Sequence, residues 1–340
     1  MKRVSDRLGW LAFALAVATA NAADESQNWL ERMNRALSTR NYDGVFSHWQ
    51  GGGRVETLRI IHRVQDGAVT ERLVSLDGSR REFIRNGAEL QCYLPDQRTV
   101  LVEHEPRQSL LLGGLPTFDA STSQFYEVAS MKSTRLLGRK AQMVFVNPKD
   151  EFRYGYRLWI DESTAMPLKT QLCDAHGQVI EQVIFASLVM KPHIPDAAFK
   201  PEVSTDGFQW LREESEPASM QVAGGPAVWD ALKLPPGFRM SVRAAQVLPG
   251  STVPVAHLVF TDGIASVSVF VESRTKPSGD HTVSGSTQVG SASAFSTVIE
   301  GHQVTAVGEV PPETVRFIVN SVKPQSQESS LSAPSLAPRH

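Results

Sequence analysis

Residues 45 to 103 are cut into short runs by breaks at Gly51-Gly52-Gly53, Asp66-Gly67, Asp77-Gly78, Asn86-Gly87 and Pro95-Asp96. Three of these five breaks are Asp-Gly or Asn-Gly, the dipeptides that tolerate the positive φ of a tight hairpin turn. The runs between them, 45–49, 55–63, 70–76, 81–85, 90–94 and 99–103, have the length of single strands. A parallel crossover needs a dozen or more residues, usually a helix, and these breaks leave no room for one. The meander is therefore antiparallel. Gly51-Gly52-Gly53-Arg54 is a turn and not a phosphate loop, because a strand follows it where a helix start would have to aim its amides at the anion.

The stretch from Asn147 to Phe185 extends the same sheet. Tyr154, Tyr156, Leu158 and Ile160 alternate with Gly155, Arg157 and Trp159, the period of a half-buried strand. Pro167 opens a second strand that ends at Cys173, and Asp174-Ala175-His176-Gly177 turns the chain into a third, Val179 to Phe185. Upstream, Asp24 and Ser26 suit the caps of a helix whose stripe is Trp29, Met33, Ala36 and Leu37, ending near Arg40. Residues 131–146 complete the sheet. The run Ser109–Pro116 is too apolar for a solvated loop and too glycine-rich for a helix; a lid over a cleft and a plain core cover both fit it.

Pro192 and Pro195 end this first unit, expected over residues 23–202. Residues 203–225 carry charge, Pro217 and Gly224-Gly225 and read as a linker. A smaller second domain follows over 226–324, with strands expected at 238–247, 255–260, 265–272, 288–290 and 302–307 and helices at 292–299 and 312–322. The tail, 325–340, is polar and of low complexity and is expected to be disordered.

Lys2, Arg3 and Arg7 precede an apolar run, Leu8 to Val17, and Ala20-Asn21-Ala22 is a small-x-small site. Residues 1–22 thus have the three parts of a secretory signal peptide cleaved after Ala22. The net charge of -2 gives no electrostatic case for nucleic acid. Export permits a disulfide between Cys92 and Cys173, the two cysteines of the chain. Cys92 shares an apolar strand face with Leu90 and Leu94, whereas Cys173 alternates with Lys169 and Gln171, so two unpaired thiols are the alternative.

No G-x-S-x-G elbow, H-E-x-x-H helix or phosphate loop occurs, and the nine histidines share no metal-ligand spacing. Asp150-Glu151 and Asp161-Glu162 are neighbours that point apart and read as solvated turn residues. The reading is of no enzyme, no metal and no cofactor. What remains is a large sheet face that one helix cannot cover. By parity, Phe46, Leu58, Ile60, Val74, Leu76, Leu90, Leu94, Tyr154, Tyr156, Leu158 and Leu172 line it, forming an apolar cleft suited to an acyl chain or an apolar peptide.

Pro148-x-Asp150-x-Phe152-Arg153-Tyr154-Gly155-Tyr156-Arg157-Leu158-Trp159-x-Asp161, followed by Pro167-Leu168-Lys169, resembles the RseB/MucB family. So do Asn41-Tyr42-x-Gly44-Val45-Phe46, Asp77-Gly78-x-x-Arg81-Glu82, Ser266-Val267-Ser268-Val269-Phe270 and Val307-Gly308-Glu309-Val310-Pro311, in the same order. The resemblance implies an α+β, mainly antiparallel fold: a half-barrel similar to the lipoprotein carriers LolA and LolB with helices in its concavity, then a smaller C-terminal domain. It implies a periplasmic negative regulator of an envelope-stress sigma factor. Its partners would be the periplasmic domain of a membrane-spanning anti-sigma factor, which it shields from proteolysis, and lipopolysaccharide or the acyl chains of mislocalised lipoprotein. Self-association into a homo-oligomer is left open. The other reading is a periplasmic acyl-chain carrier of LolA type, against which stand the roughly hundred residues beyond the linker.

Overall fold

A computed structural model describes residues 25–78, 80–104, 117–119, 122–212, 229–247, 254–273 and 284–324. The expected signal peptide over 1–22, the run Ser109–Pro116 and the tail over 325–340 lie outside the described residues.

The chain opens with α1, residues 25–39. The meander follows as β1 (Tyr42–Gln50), β2 (Arg54–Gln65), β3 (Ala68–Ser75), β4 (Glu82–Asn86), β5 (Glu89–Leu94) and β6 (Thr99–His104). A short helix α2 (Thr122–Phe125) leads into β7 (Tyr126–Ser130), β8 (Thr134–Leu136), β9 (Arg139–Pro148), β10 (Gly155–Asp161), β11 (Pro167–Cys173) and β12 (Val179–Met190). These strands and β13 (Gln209–Arg212) make one sheet, ordered β13-β6-β5-β4-β3-β2-β1-β12-β11-β10-β9-β7, with β8 beside β9. The long β12 returns along β1 and joins the meander to the second run of strands. The sheet is open: β13 and β7 end the strand order.

The turns behave as their composition demands. Gly67, Gly78 and Gly87 all take positive φ, and β2–β3, β3–β4 and β4–β5 pair antiparallel across them. The helix stripe supplies one wall of the core. Leu30, Met33 and Ala36 pack with Phe46, Leu58, Ile60, Val144, Leu158, Leu168 and Phe185. Phe118 closes the same core, its ring 5.3 Å from that of Tyr156, and Asn34 donates to its carbonyl at 2.6 Å.

Two expectations change at the end of this domain. Val203 and Phe208 pack on Ile84, Tyr93, Val100 and Val102, and β13 then runs parallel to β6. Sheet structure therefore continues to residue 212, inside the segment expected to be linker from 203; two apolar anchors in a polar stretch hold it there. This β13–β6 pair is also the one parallel pairing among the described strands.

The second domain is a sheet of β15 (Arg239–Val247), β16 (Pro254–Thr261), β17 (Ser266–Ser273), β20 (His302–Gly308), β19 (Ala292–Ile299) and β18 (Gly285–Val289), in that spatial order. β14 (Trp229–Ala231) pairs with β21 (Val322–Pro324), and α3 (Pro312–Ser321) covers the sheet with Val315, Ile318 and Val319. Residues 292–299 are a strand and not the expected helix. Alternation places Ser293 on the face of Phe295 and Ile299, which pack on the domain core, and Ser296 on the other. Both hydroxyls are satisfied, by the Val310 and Val304 carbonyls, and Thr297, Val298 and Ile299 favour an extended backbone.

Candidate functional site at the domain junction and the open sheet face

The junction between the two domains is built around one cation. Arg153 sits in the turn between β9 and β10, and its side chain is wholly buried. Its Nε donates to Asp262 Oδ2 of the second domain at 2.5 Å, its Nη1 pairs with Asp150, and its Nη2 donates to the Pro236 carbonyl. Asp262 lies in the β16–β17 turn, where its other oxygen accepts from the Ile264 and Ala265 amides at 2.8 and 2.7 Å. Burial alone would lower the pKa of the guanidinium; the Asp262 and Asp150 carboxylates outweigh it and raise the value instead. The guanidinium lies 4.7 Å from the Phe125 ring of the first domain and 5.1 Å from the Phe238 ring of the second, so each domain contributes an aromatic ring to the cation.

Other contacts surround this centre. Gly237 takes a φ of +81°, and a Cβ there would lie 2.3 Å from the Phe125 ring, so only glycine allows this approach. Thr314 of α3 donates to the Phe152 carbonyl at 2.9 Å, the Phe152 and Phe317 rings meet edge to face, and Ile264 packs on the first domain's core. Along another edge, His48 and Glu181 of the first domain are 2.8 Å apart, and Ser291 of the second bonds both Glu181 and Glu309. Burial alone would lift the Glu181 carboxyl, but its bonds to His48 and Ser291 bring it below the usual range. Glu309 is raised, by desolvation first and by the neighbouring Glu181 charge in addition.

The open face is a second feature. Strand register lines up Leu211, Leu101, Cys92, Phe83, Leu73 and Ile60 in one row across β13, β6, β5, β4, β3 and β2. Exposure climbs along it, from 0 % at Ile60 beneath α1 to 40 % at Leu101 and 49 % at Leu211. The face is thus closed by core at one end and apolar yet accessible at the other.

The residues expected to line a cleft divide accordingly. Phe46, Leu58, Ile60 and Leu158 are core beneath α1, with Tyr156 packed against them and Leu172 its register partner. Leu90 and Leu94 belong to the open part and are half-buried. Val74 and Leu76 do not line this face. Val74 pairs with Arg59 and Glu82 on the opposite side, and Leu76 continues that parity, 52 % exposed; Leu73 takes the inward place. Two adjacent apolar residues left that parity ambiguous. Tyr154 precedes β10 and turns to the domain junction, facing Glu309 and Glu313.

The possible Cys92–Cys173 bridge does not form. Both thiols are free, and five strands stand between β5 and β11. Nor are the paired acids all solvated. Asp150 is bound to Arg153, and Asp161 is buried against Arg139 at 2.7 Å.

Two family models cover this chain: the MucB/RseB N-terminal domain over residues 25–203 and the MucB/RseB C-terminal domain over residues 224–323. The chain belongs to the MucB/RseB family. It is 31% identical to the sigma factor AlgU regulatory protein MucB of Pseudomonas aeruginosa, over 95% of this chain and 98% of MucB. To the sigma-E factor regulatory protein RseB of Salmonella typhimurium it is 28% identical, over 92% of this chain and 97% of RseB. Among solved structures, the MucA/MucB complex of Pseudomonas aeruginosa matches with a TM-score of 0.68 and 29% identity, covering 89% of this chain and 99% of that one. The architecture of this MucB/RseB chain, a large antiparallel sheet with few helices and a separate smaller sheet domain, is the one the sequence led us to expect.

The sequence of this MucB/RseB protein did not mark Arg153, Asp262, Gly237 and Glu309 as residues of the domain junction. The first signal was present: an arginine inside an aromatic run, Phe152-Arg153-Tyr154, is an unusual choice for a strand approach. Its partner lies 109 residues away and no local pattern points to it.

Proposed function

We propose that this protein is a periplasmic negative regulator of an envelope-stress sigma factor. It binds the periplasmic domain of a membrane-spanning anti-sigma factor and shields it from the regulatory protease. Lipopolysaccharide, or the acyl chains of mislocalised lipoprotein, entering the apolar face around Leu90, Leu94 and Leu101 would release that partner. The observation that carries the reading is the match along both domains to MucB, a sigma factor regulatory protein solved in complex with MucA. The leader at residues 1–22 supports export to the periplasm.

A ligand shifts an equilibrium only through its differential affinity for two states. Here the two states are the domain arrangement held by Arg153 and Asp262 and one in which that junction is remade. An acyl chain seated on the row from Phe83 to Leu211 would favour the second, and the partner the first. The two ligands then oppose each other by the same coupling free energy. Binding alone accounts for this role.

The reading is tested by affinity purification of the tagged, mature protein from envelope extracts. A membrane anti-sigma factor is expected as the main companion. Recovery of lipoproteins in its place would favour the acyl-chain carrier and remove the regulator.

A further inference from the structure

A cavity of about 400 Å³ opens between α1 and the turn that joins β10 to β11, lined by Arg32, Arg35, Ala36, Thr39 and Arg40 on one side and Ser163, Thr164 and Ala165 on the other. Arg32, Arg35 and Thr39 recur at helical spacing and so share one face of α1, and Arg40 follows directly where the helix ends. Among the described residues no carboxylate pairs with Arg32, Arg35 or Arg40. Glu31, one turn before Arg35, does not pair with it either.

The two acids of the facing turn are already engaged. Asp161 is held by Arg139 at 2.7 Å and accepts from the Ser163 and Thr164 hydroxyls. Glu162 is held by Lys140 at 2.8 Å and by Ser133 at 2.5 Å. The cavity therefore carries uncompensated positive charge. Arg32 is also held in place: its guanidinium stacks 4.0 Å over the Trp29 ring and reaches the Glu162 carbonyl at 3.4 Å. Cations near a helix C-terminus complement the helix dipole, which explains Arg35 and Arg40. It does not explain Arg32, two turns from the end, or the space that the three enclose with the opposing turn.

We propose that this arginine-lined cavity is a binding site for a phosphate group, either free or borne as a phosphomonoester headgroup. Guanidinium forks match the oxygens of phosphate in bidentate pairs, and three of them offer more donors and more charge than one carboxylate can use. The Ser163 and Thr164 hydroxyls donate to Asp161, so the arginines are the groups that would bind the anion. The cavity shares no lining residue with the apolar row on β2 to β6 and β13.

The mature, full-length protein is titrated by calorimetry with inorganic phosphate, with dihexanoyl phosphatidic acid below its micelle concentration, and with acetate. Saturable binding of phosphate or phosphatidate, with none of acetate, is expected. In the Arg32→Gln/Arg35→Gln variant it should weaken at least about tenfold, since each lost charge-assisted bond is worth that much. Both side chains are exposed, so the variant should keep the wild-type melting midpoint, measured alongside. Phosphate binding with no gain from the acyl chains assigns a free anion; phosphatidate binding alone assigns a headgroup. No binding of either ligand, acetate binding as well as phosphate, or binding unchanged in the folded double variant would each overturn the proposal.

Discussion

Arg153 and Asp262 stand 109 residues apart in the chain and meet at 2.5 Å, with 0 % and 1 % of their side chains open to solvent. One carboxylate and one guanidinium thus tie two separately folded sheets together. Removing one member of such a pair leaves the other charged and buried, a loss of about 3–5 kcal/mol. Arg153→Met should lower the free energy of unfolding in urea by that order. Arg153→Lys should not restore it, because an ammonium cannot reach Asp262, Asp150 and the Pro236 carbonyl together. A variant as stable as the wild type would show that the Arg153 ion pairs contribute nothing to folding.

Gly237 and Gly263 both take positive φ, +81° and +99°, but only the first faces a neighbour, the Phe125 ring. Gly237→Ala should cost about 1–3 kcal/mol for the methyl forced against the Phe125 ring, beyond the backbone strain that Gly263→Ala also pays. Thermal melts of the two variants side by side separate the interdomain contact from the conformational term. Equal midpoints would mean that the Phe125 ring moves aside freely.

His62 is buried in the first domain, stacked 4.7 Å from Tyr42 and bonded through Nδ1 to the Arg40 carbonyl at 2.8 Å. Burial holds its pKa below the ordinary 6.5, against the pull of Glu71. The unfolded chain therefore binds a proton here before the folded one does. Stability should be full above pH 6.5 and fall as the pH drops through the lowered value. His62→Asn should be less stable throughout and flatter across that window in urea titrations. An unchanged slope would exclude His62 as the source.

Glu309 shows the opposite sign. Its carboxyl is raised by desolvation and by Glu181, so its contribution is best below the ordinary carboxylate range and is lost as the pH rises through the raised value. Glu309→Gln should stabilise the protein at neutral pH while its amide oxygen still accepts from Ser291. Glu309 keeps contact with solvent, which limits the gain to less than about 1 kcal/mol. A melting midpoint lowered at pH 7 would contradict this.

The hairpin ladder was legible because each turn carries its own chemistry: Asp66-Gly67 and Asn86-Gly87 specify their strands without help from the rest of the fold. Faces were harder to read. Leu73 and Val74 are both apolar, and only the pairing of Leu73 with Ile60 decides which points inward. Residues 292–299 read as a helix because Ala and Ser tolerate either state; the neighbouring β20 settles it. Asp262 was invisible for a different reason. A carboxylate in an Asp-Gly turn looks solvated until the other domain brings Arg153 to it. Contacts between domains leave no periodic trace in either segment.

The central claim is that acyl chains and the anti-sigma factor oppose each other through the arrangement of these two domains. Its most direct test is a titration of the mature protein with the periplasmic domain of the anti-sigma factor, with and without lipid A. Saturable binding that lipid A weakens, in a protein where Leu101→Asp removes the lipid effect and spares the binding, is the expected result. Equal affinity with and without lipid A, or no binding at all, would contradict it.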